Sequence, residues 1–84
     1  MARYEFTPKS VKQFRKLDKQ TQFKVIEKLD YFCSTSHPLD YAEPISDKDL
    51  GSYRFRIGNF RVVFDIKDDL ITIQKVGDRK NIYR

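Results

Sequence analysis

The hydrophobic positions of the first half of the chain recur at helical spacing. Thr7-Pro8 is typical of a helix start, with Thr7 as the N-cap and Pro8 at the first helical position. The apolar residues that follow lie three apart, at Val11, Phe14 and Leu17. This spacing places them on one side of a helix, so the segment is predicted to form a short helix with one apolar stripe.

A second helix is predicted from about Lys19 to Cys33, with Asp18 as its cap. Its buried face is expected to consist of Phe23, Val25, Ile26, Leu29 and Phe32. Because the connection between the two helices is short, they are expected to form an antiparallel hairpin, with apolar residues inside and lysines and arginines outside.

The last third of the chain alternates between apolar and polar residues, as β-strands do. Tyr53–Ile57 and Phe60–Lys67 are two such runs, and Gly58-Asn59 between them is typical of the two-residue turn that closes a hairpin. A third β-rich run, Leu70–Val76, follows a turn at Asp68-Asp69. The three runs together predict a meander of three strands.

Residues 34–50 show no regular period and predict a loop, with a short strand or turn near Ile45. A short strand from Tyr4 to Thr7 precedes the first helix, so the order of elements is β-α-α-β-β-β. We therefore expect an α+β fold in a single domain spanning residues 1–84, with an antiparallel sheet and the N-terminal helical hairpin packed on one face.

The two-residue turn fixes which residues stand opposite each other on the hairpin strands. It pairs Ile57 with Phe60, Arg56 with Arg61, Phe55 with Val62 and Arg54 with Val63. The core face under the helices is then predicted to carry Tyr53, Phe55, Ile57, Phe60, Val62, Phe64 and Ile66, together with Ile71 and Ile73. The opposite face is predicted to carry Arg54, Arg56 and Arg61, with Val63, Asp65, Gln74 and Val76 beside them.

Arg56 and Arg61 stand directly across from each other in this register, and like charges in such a position cost roughly 0.2–1 kcal/mol. Solvated strand faces usually mix both signs of charge, whereas Asp65 is the one acidic residue expected on the outer side of these two strands. We therefore prefer an anion-binding site to an ordinary solvated face, since arginine binds phosphate through two parallel hydrogen bonds. Arg61→Gln is accordingly expected to leave the fold intact or slightly more stable.

Composition indicates the kind of partner and the compartment. Seventeen Lys and Arg against twelve Asp and Glu give a net charge of +5, which favours a polyanionic partner but also keeps an ordinary protein soluble. The single cysteine, Cys33, excludes an internal disulfide and a cysteine-based metal cluster. No apolar stretch has the length of a signal peptide or a membrane span. We expect a cytoplasmic protein that uses no metal or cofactor.

Three segments of the chain resemble the RelE/ParE toxin superfamily. Residues 51–64, GSYRFRIGNFRVVF, are similar to its "YRIRVGDYRVIY" signature, and residues 76–83, VGDRKNIY, are similar to its "VGHRKDVY" ending. The opening Tyr4–Pro8 and the later Phe14–Leu17 fit its first strand and helix. The resemblance therefore covers nearly the whole chain.

This resemblance implies a toxin of a type II toxin–antitoxin system. RelE-type members are mRNA interferases, which cut messenger RNA in the ribosomal A site by attack of the ribose 2′-hydroxyl on the adjacent phosphate and so inhibit translation. A metal-independent endoribonuclease is thus the implied activity. The implied partners are a cognate antitoxin, which wraps the toxin in a hetero-oligomer, and the ribosome with its messenger RNA.

Site residues carry over from the two motifs that match. The implied catalytic positions are Arg56, Arg61, Arg79 and Tyr83, and the implied RNA-binding positions are Arg54 and Lys80. Arg56 and Arg61 would stabilise negative charge at phosphorus, and Arg79 would stabilise the leaving oxygen. Tyr83 would stack on a base or orient the reacting nucleotide, although it belongs to a terminal segment of the kind that ordinarily frays.

The chain also departs from the family pattern. Several RelE-type members have lysine where this chain has Arg54 and Arg56, and arginine does not lose its proton, so no proton acceptor is obvious among the matched positions. Asp78 replaces the family's histidine and is either a proton acceptor or, as we prefer, a turn residue. His37 has no family match. Two alternatives stay open: a ParE-type inhibitor of DNA gyrase, and a non-catalytic module that binds RNA or an antitoxin.

Overall fold

A computed structural model describes residues 1–47 and 50–83 of the chain. Its elements are β1 (Arg3–Phe6), α1 (Pro8–Arg15), α2 (Lys19–Ser34), a short 3-10 helix (Pro38–Tyr41), β2 (Ala42–Pro44), β3 (Tyr53–Ile57), β4 (Phe60–Lys67) and β5 (Leu70–Asp78). The expected α+β class and the N-terminal helical hairpin are confirmed. No helix within these residues is long and apolar enough to cross a membrane.

Both helices begin at the predicted caps. Thr7 Oγ1 accepts a hydrogen bond from the backbone N–H of Ser10 at 3.1 Å. Asp18 Oδ1 accepts one from the backbone N–H of Thr21 at 2.8 Å, and this bond lowers the pKa of Asp18. Each cap satisfies an N–H group that has no partner within its helix, which fixes where the helix starts.

The buried face of α2 differs from the predicted one at its first residue. Val25, Leu29 and Phe32 are buried, whereas Phe23 is 72% exposed. A helix has 3.6 residues per turn, so a residue two positions before Val25 points to the opposite side. The expectation that Phe23 belongs to the core is therefore wrong.

The five strands form one mixed sheet in the order β1-β5-β4-β3-β2. Strands β2 to β5 are antiparallel neighbours, but β1 runs parallel to β5, so the expectation of a purely antiparallel sheet is wrong. The helical hairpin carries the chain from β1 to β2 at the opposite edge, and the meander then returns strand by strand. This long connection is what a parallel pair requires. Strand β2 is the short strand expected near Ile45.

A β-bulge changes the face to which the end of β5 points. The pairs predicted between β3 and β4 are confirmed, but the register between β4 and β5 shifts at Val63 and Phe64. One extra residue, Gln74, lies in β5 at this point, and an extra residue moves those beyond it to the other face. Val76 is consequently only 4% exposed and belongs to the core, so its predicted place beside the arginines is wrong.

The core lies between α2 and the sheet. The ring of Phe55 is 4.7 Å from that of Phe32 on α2 and 4.4 Å from that of Phe64 on β4, measured between centroids. Phe55, Phe64, Ile71 and Ile73 are completely buried. Because the helices cover this face, the polar side chains of the strands point to the opposite one.

Candidate functional site

The arginine face is the sheet surface opposite the helices, defined by Glu43 of β2, Arg54 and Arg56 of β3, and Arg61 and Val63 of β4. Glu43 stands across from Arg54, and Arg54 stands across from Val63. Residues opposed in this way point to the same side of the sheet. The structure thus brings together the three predicted strand arginines and a carboxylate from the edge strand.

Glu43 is the acidic partner of two arginines. Its Oε1 accepts a hydrogen bond from Arg54 Nε at 3.2 Å and lies 3.7 Å from Arg56 Nε. Glu43 was not among the candidate residues, because residues 34–50 have no regular period. The available signal was Ala42-Glu43-Pro44, since a short run that ends in proline fits an edge strand.

Tyr83 contacts Arg54 through both its hydroxyl and its ring. Arg54 Nη1 donates a hydrogen bond to Tyr83 Oη at 3.0 Å, and Arg54 Cζ lies 5.8 Å from the centre of the tyrosine ring. The hydrogen bond to Tyr83, followed by that to Glu43, raises the pKa of Arg54. The closing motif and the strand arginines are therefore parts of one surface.

The C-terminal turn, residues 78–83, reaches Arg54 because it folds back over the arginine face. The backbone C=O of Asp78 accepts a hydrogen bond from the N–H of Ile82 at 2.9 Å, and Lys75 Nζ donates to the C=O of Ile82 at 2.9 Å. Ile82 is 5% exposed and lies against Gly77. The segment that ordinarily frays is thus packed on the sheet, and it holds Tyr83 in place.

The other residues of the closing motif have separate positions. Asp78 Oδ1 accepts a hydrogen bond from the backbone N–H of Lys80 at 2.8 Å, so this carboxylate acts as the turn residue that we preferred. The backbone N–H of Arg79 donates to the C=O of Asn59 at 2.8 Å. The side chains of Arg79 and Lys80 are exposed, and a role for Lys80 in RNA binding stays a prediction.

Arg61 is the buried cation of the arginine face. It is 6% exposed, and its Nη1 donates hydrogen bonds to the backbone C=O groups of Gly58 and Phe60, both at 2.9 Å. Burial lowers the pKa of Arg61, and the positive charges of Arg56, Arg54 and Arg79 lower it further. An arginine nevertheless stays charged near neutral pH.

The two hydrogen bonds give Arg61 a structural role in the β3–β4 turn. This role argues against the expectation that Arg61→Gln leaves the fold intact or more stable. The same hydrogen bonds offset the repulsion between Arg61 and Arg56 on the opposite strand, because the Arg61 guanidinium points towards carbonyl oxygens.

Gly51 and Ser52, which directly precede β3, lie against the arginine face. A Cβ atom at Gly51 would lie 2.5 Å from Val63 Cγ1, and Gly51 has a φ of +151°. Both the lack of space and the backbone conformation therefore exclude an L side chain at this position. Ser52 Oγ donates a hydrogen bond to Asp65 Oδ1 at 2.6 Å. Val63 is completely buried as a result, although it lies on the side away from the helices.

No group of three His, Cys, Asp or Glu side chains within residues 1–47 and 50–83 is placed to share a metal ion. His37 is exposed and precedes the 3-10 helix, which packs against α2. It therefore lies on the helix side of the sheet. Among the carboxylates described, Glu43 is the one in contact with Arg54 and Arg56.

A family model described as the ParE toxin of type II toxin–antitoxin system, parDE, matches residues 4–83. The chain belongs to this family. The match spans β1 to the C-terminal turn and includes the strand arginines, Glu43, Arg79 and Tyr83. No curated protein sequence matches the chain.

Solved structures similar to this ParE-family chain are toxin–antitoxin complexes. The RelBE2 complex of Mycobacterium tuberculosis shares 23% identity at a TM-score of 0.75, covering 93% of this chain and 98% of that one. The RelB–RelE complex of Methanococcus jannaschii shares 26% identity at a TM-score of 0.66, and the match covers 93% of each chain. The RelE–RelB complex of Pyrococcus horikoshii shares 25% identity at a TM-score of 0.63, and the match covers 95% of this chain and 97% of that one. The ParE-family chain thus has the RelE fold over nearly its whole length.

Proposed function

We propose that this ParE-family toxin is a ribosome-dependent endoribonuclease that cuts messenger RNA in the ribosomal A site and so inhibits translation. The observation that carries the proposal is the position of the Glu43 carboxylate, which contacts both Arg54 and Arg56 on the arginine face. A proton acceptor beside several fixed cations is the combination that attack by a ribose hydroxyl on a phosphate needs.

The proposed reaction is an intramolecular transfer at phosphorus. Glu43 takes the proton of the ribose 2′-hydroxyl, the 2′ oxygen forms a bond to the adjacent phosphorus, and the bond from phosphorus to the 5′ oxygen of the next nucleotide breaks. The products are a 2′,3′-cyclic phosphate and a 5′-hydroxyl, whose oxygen takes up a proton from water. Glu43 then releases its proton to solvent.

The arginines have different roles in this scheme. Negative charge develops on the phosphoryl oxygens, and Arg56 with Arg61 stabilises it. The position of Arg61 is fixed by two carbonyl oxygens, so little reorganisation is needed when the charge appears. Arg79, at the exposed edge, stabilises the leaving oxygen. Arg54 holds the RNA backbone, and Tyr83 orients the nucleotide beside it.

The proposed partners are a cognate antitoxin and the ribosome. The three similar structures are complexes of a RelE toxin with an antitoxin, and we extend that assembly to this chain. Acidic antitoxin residues would neutralise the arginine face. The helical surface carries a set of cations that suits ribosomal RNA phosphates: Lys9, Lys12, Arg15, Lys16, Lys19, Lys24 and Lys28.

Glu43→Gln provides the decisive test, because it removes the proton acceptor and keeps the shape of the side chain. In single-turnover cleavage on programmed ribosomes, the variant should be slower than the unchanged protein by about 100-fold or more, as expected for loss of a general base. The matched control is Glu27→Gln, at an exposed position of α2, which should cleave at the unchanged rate. Equal rates for Glu43→Gln and Glu27→Gln would exclude Glu43 as the base.

Because the proposed reaction uses no metal ion, cleavage should also survive EDTA at concentrations too low to disturb the ribosome. Cleavage that stops under these conditions, or that proceeds efficiently on naked RNA, would contradict the proposal.

Inhibition of DNA gyrase is the second candidate, and the description of the matching family model favours it. On this alternative the arginine face binds protein or DNA without chemistry. A supercoiling assay with purified gyrase distinguishes the two functions, since a ribosome-dependent nuclease should leave the supercoiling activity of gyrase unchanged. Stalled gyrase together with intact ribosome-bound RNA would establish the alternative.

A further inference from the structure

The two edges of the sheet differ in whether a further strand can pair with them. Strands β1 and β2 form these edges in the part of the chain that the structure describes. Near β2, the N–H of Ile45 donates to the C=O of Ser52 on the β3 side, so the alternate residues Ala42 and Pro44 face outward. Proline has no N–H group, and the N–H of Ala42 donates to the C=O of Leu39. The outward edge of Ala42–Pro44 is therefore closed to a partner strand.

The outward edge of β1 has the groups that a partner strand needs. The N–H groups of Arg3 and Thr7 donate to carbonyl groups on the β5 side at 2.7 and 3.1 Å, and Glu5 lies between them in the same phase. Successive strand residues point their N–H and C=O groups to opposite sides. Tyr4 and Phe6 therefore direct theirs outward, and β1 contains no proline that would interrupt a new ladder.

The charges on β1 complement those of a second, antiparallel β1. Arg3 and Glu5 are both exposed and share one side of the sheet. Outward residues must meet outward residues, so the two-fold axis of such a pair passes through Tyr4, Glu5 or Phe6. With the axis at Tyr4, Arg3 of each copy stands across from Glu5 of the other, which gives an ion pair on each side of the axis. An axis at Glu5 would instead oppose two carboxylates, and one at Phe6 would require Pro8 of α1 to act as a strand residue.

We propose that the β1 edge binds a second copy of this chain, with the two β1 strands antiparallel and the two-fold axis at Tyr4. The N–H of Tyr4 in each copy donates to the C=O of Tyr4 in the other, and the N–H of Phe6 donates to the C=O of Ala2. The N–H of Ala2 already donates to the C=O of Cys33 at 2.8 Å, so the ladder ends there. The interface uses the same edge of both copies, so it closes as a dimer and does not extend into a fibre. This inference goes beyond the proposed nuclease function and does not depend on it.

The dimer places both arginine faces on the same surface. Glu5 stands across from Thr72, and Thr72 stands across from Asp65, which lies two residues from Val63 of the arginine face. Opposed residues point to the same side of a sheet, so Arg3 and Glu5 lie on the side of the arginine face. Pairing through β1 therefore joins two sheets into one continuous sheet, with the helices of both copies on its other side.

The dimer should be weak and reversible, because β1 has 4 residues and a contact along so short an edge is smaller than the interface of a stable dimer. In sedimentation equilibrium at low salt, the mass of the full chain should rise from 10.1 kDa towards twice this value between about 10 and 500 μM. Sodium chloride at about 0.5 M should shift the rise to higher protein concentrations, since it screens exposed ion pairs. A mass that stays at 10.1 kDa throughout would overturn the proposal.

Charge reversals test both the partner and the register. Arg3→Glu and Glu5→Arg each place like charges opposite one another, so each should raise the Kd of the dimer by about 10-fold or more. An equal mixture of the two variants should associate, because opposite charges meet again. The double variant should also regain association with the axis at Tyr4, whereas an axis at Glu5 would oppose two arginines. Glu27→Arg, at an exposed position of α2, is the matched control and should leave the Kd unchanged.

An NMR dilution series of the unchanged protein keeps the inference testable even if a variant does not fold. The backbone amide signals of Tyr4 and Phe6 should shift as the protein concentration rises, while that of Ala42 at the closed edge stays in place. Association that survives both single reversals, or amide shifts confined to other strands, would overturn the proposal. Shifts of Tyr4 and Phe6 that appear only when the cognate antitoxin is added would assign the edge to the antitoxin and would likewise overturn the dimer.

Discussion

The sheet has two faces, and segments from different parts of the chain cover them. One face lies under α2, whose Val25, Leu29 and Phe32 follow one another at helical spacing and pack on the alternating strand residues. The arginine face is covered in its middle by Gly51 and Ser52 and by the C-terminal turn, which lie far apart in the sequence. The first face is therefore the product of local patterns, and the second is the product of long-range contacts.

The two faces also differ in what holds them together. Apolar burial dominates under the helices, where Phe55 and Phe64 are completely buried. On the arginine face, charged groups are held by hydrogen bonds to Glu43, Tyr83 and backbone carbonyls. Such bonds contribute less net stability than apolar burial, but they fix the positions of cations. The comparison indicates that apolar burial on one face stabilises the protein, whereas hydrogen bonds on the other face fix the positions of charged groups, which are those of the proposed reaction.

The largest effect should follow from Phe64→Ala, which empties part of the core under α2. We expect a loss of about 3–5 kcal/mol in the free energy of unfolding, measured by urea denaturation. Phe23→Ala is the matched control, because the same ring is 72% exposed there, and it should change stability by less than about 0.5 kcal/mol. Similar losses for both variants would mean that Phe23 is buried in solution.

A smaller loss should follow from Ile82→Ala, which removes the apolar anchor of the C-terminal turn. Ile82 is buried against the sheet, but a site near the chain end can partly collapse, so we expect the lower end of the core range, about 2 kcal/mol. Urea denaturation measures this change. A loss below about 0.5 kcal/mol, which is ordinary for a surface change, would show that the turn frays and that Tyr83 is not held at Arg54.

Arg61→Gln should lower stability by about 1–2 kcal/mol, because it removes the charged hydrogen bonds from Arg61 to the backbone carbonyls of Gly58 and Phe60. The matched variant is Arg56→Gln on the opposite strand. Arg56 is 59% exposed at its side chain, and its replacement relieves a like-charge pair, so stability should stay unchanged or rise slightly. Thermal melts of the two variants compare them directly, and equal melting temperatures would contradict the structural role of Arg61.

The smallest effect concerns pH and the helix side of the sheet. Tyr4 Oη donates a hydrogen bond to Asp30 Oδ1 at 2.8 Å, and burial together with this bond raises the pKa of Tyr4 above its ordinary value. The unfolded chain then releases the tyrosine proton first, near pH 10. The stability that Tyr4 contributes is thus fully present below pH 10 and is lost as pH rises above it.

Tyr4→Phe has no proton to lose at this position. The difference in unfolding free energy between the two proteins, measured in urea from pH 8 to 11, should therefore shift in favour of the variant above about pH 10. A difference that stays constant over this range would show that the Tyr4–Asp30 bond does not persist in solution.

The sequence by itself determined the helices, their caps and the β3–β4 hairpin. Thr7 and Asp18 are caps whose hydrogen bonds reach three residues along the chain, and Gly58-Asn59 sets the register of its own flanking strands. These features depend on neighbours in the chain, so spacing and residue type are enough to predict them. The same register placed Arg54, Arg56 and Arg61 on one face.

Only the tertiary structure decided how that face is completed. The bulge at Gln74 moved Val76 into the core. Glu43 contacts Arg54 because β2 forms the edge of the sheet opposite β1 and pairs there with β3. Tyr83 reached Arg54 because Ile82 is buried on the sheet. Each contact joins residues that are distant in sequence, and it depends on the packing of several elements at once. No local pattern carries that information, since the entropy cost of bringing distant segments together is met only by the complete fold.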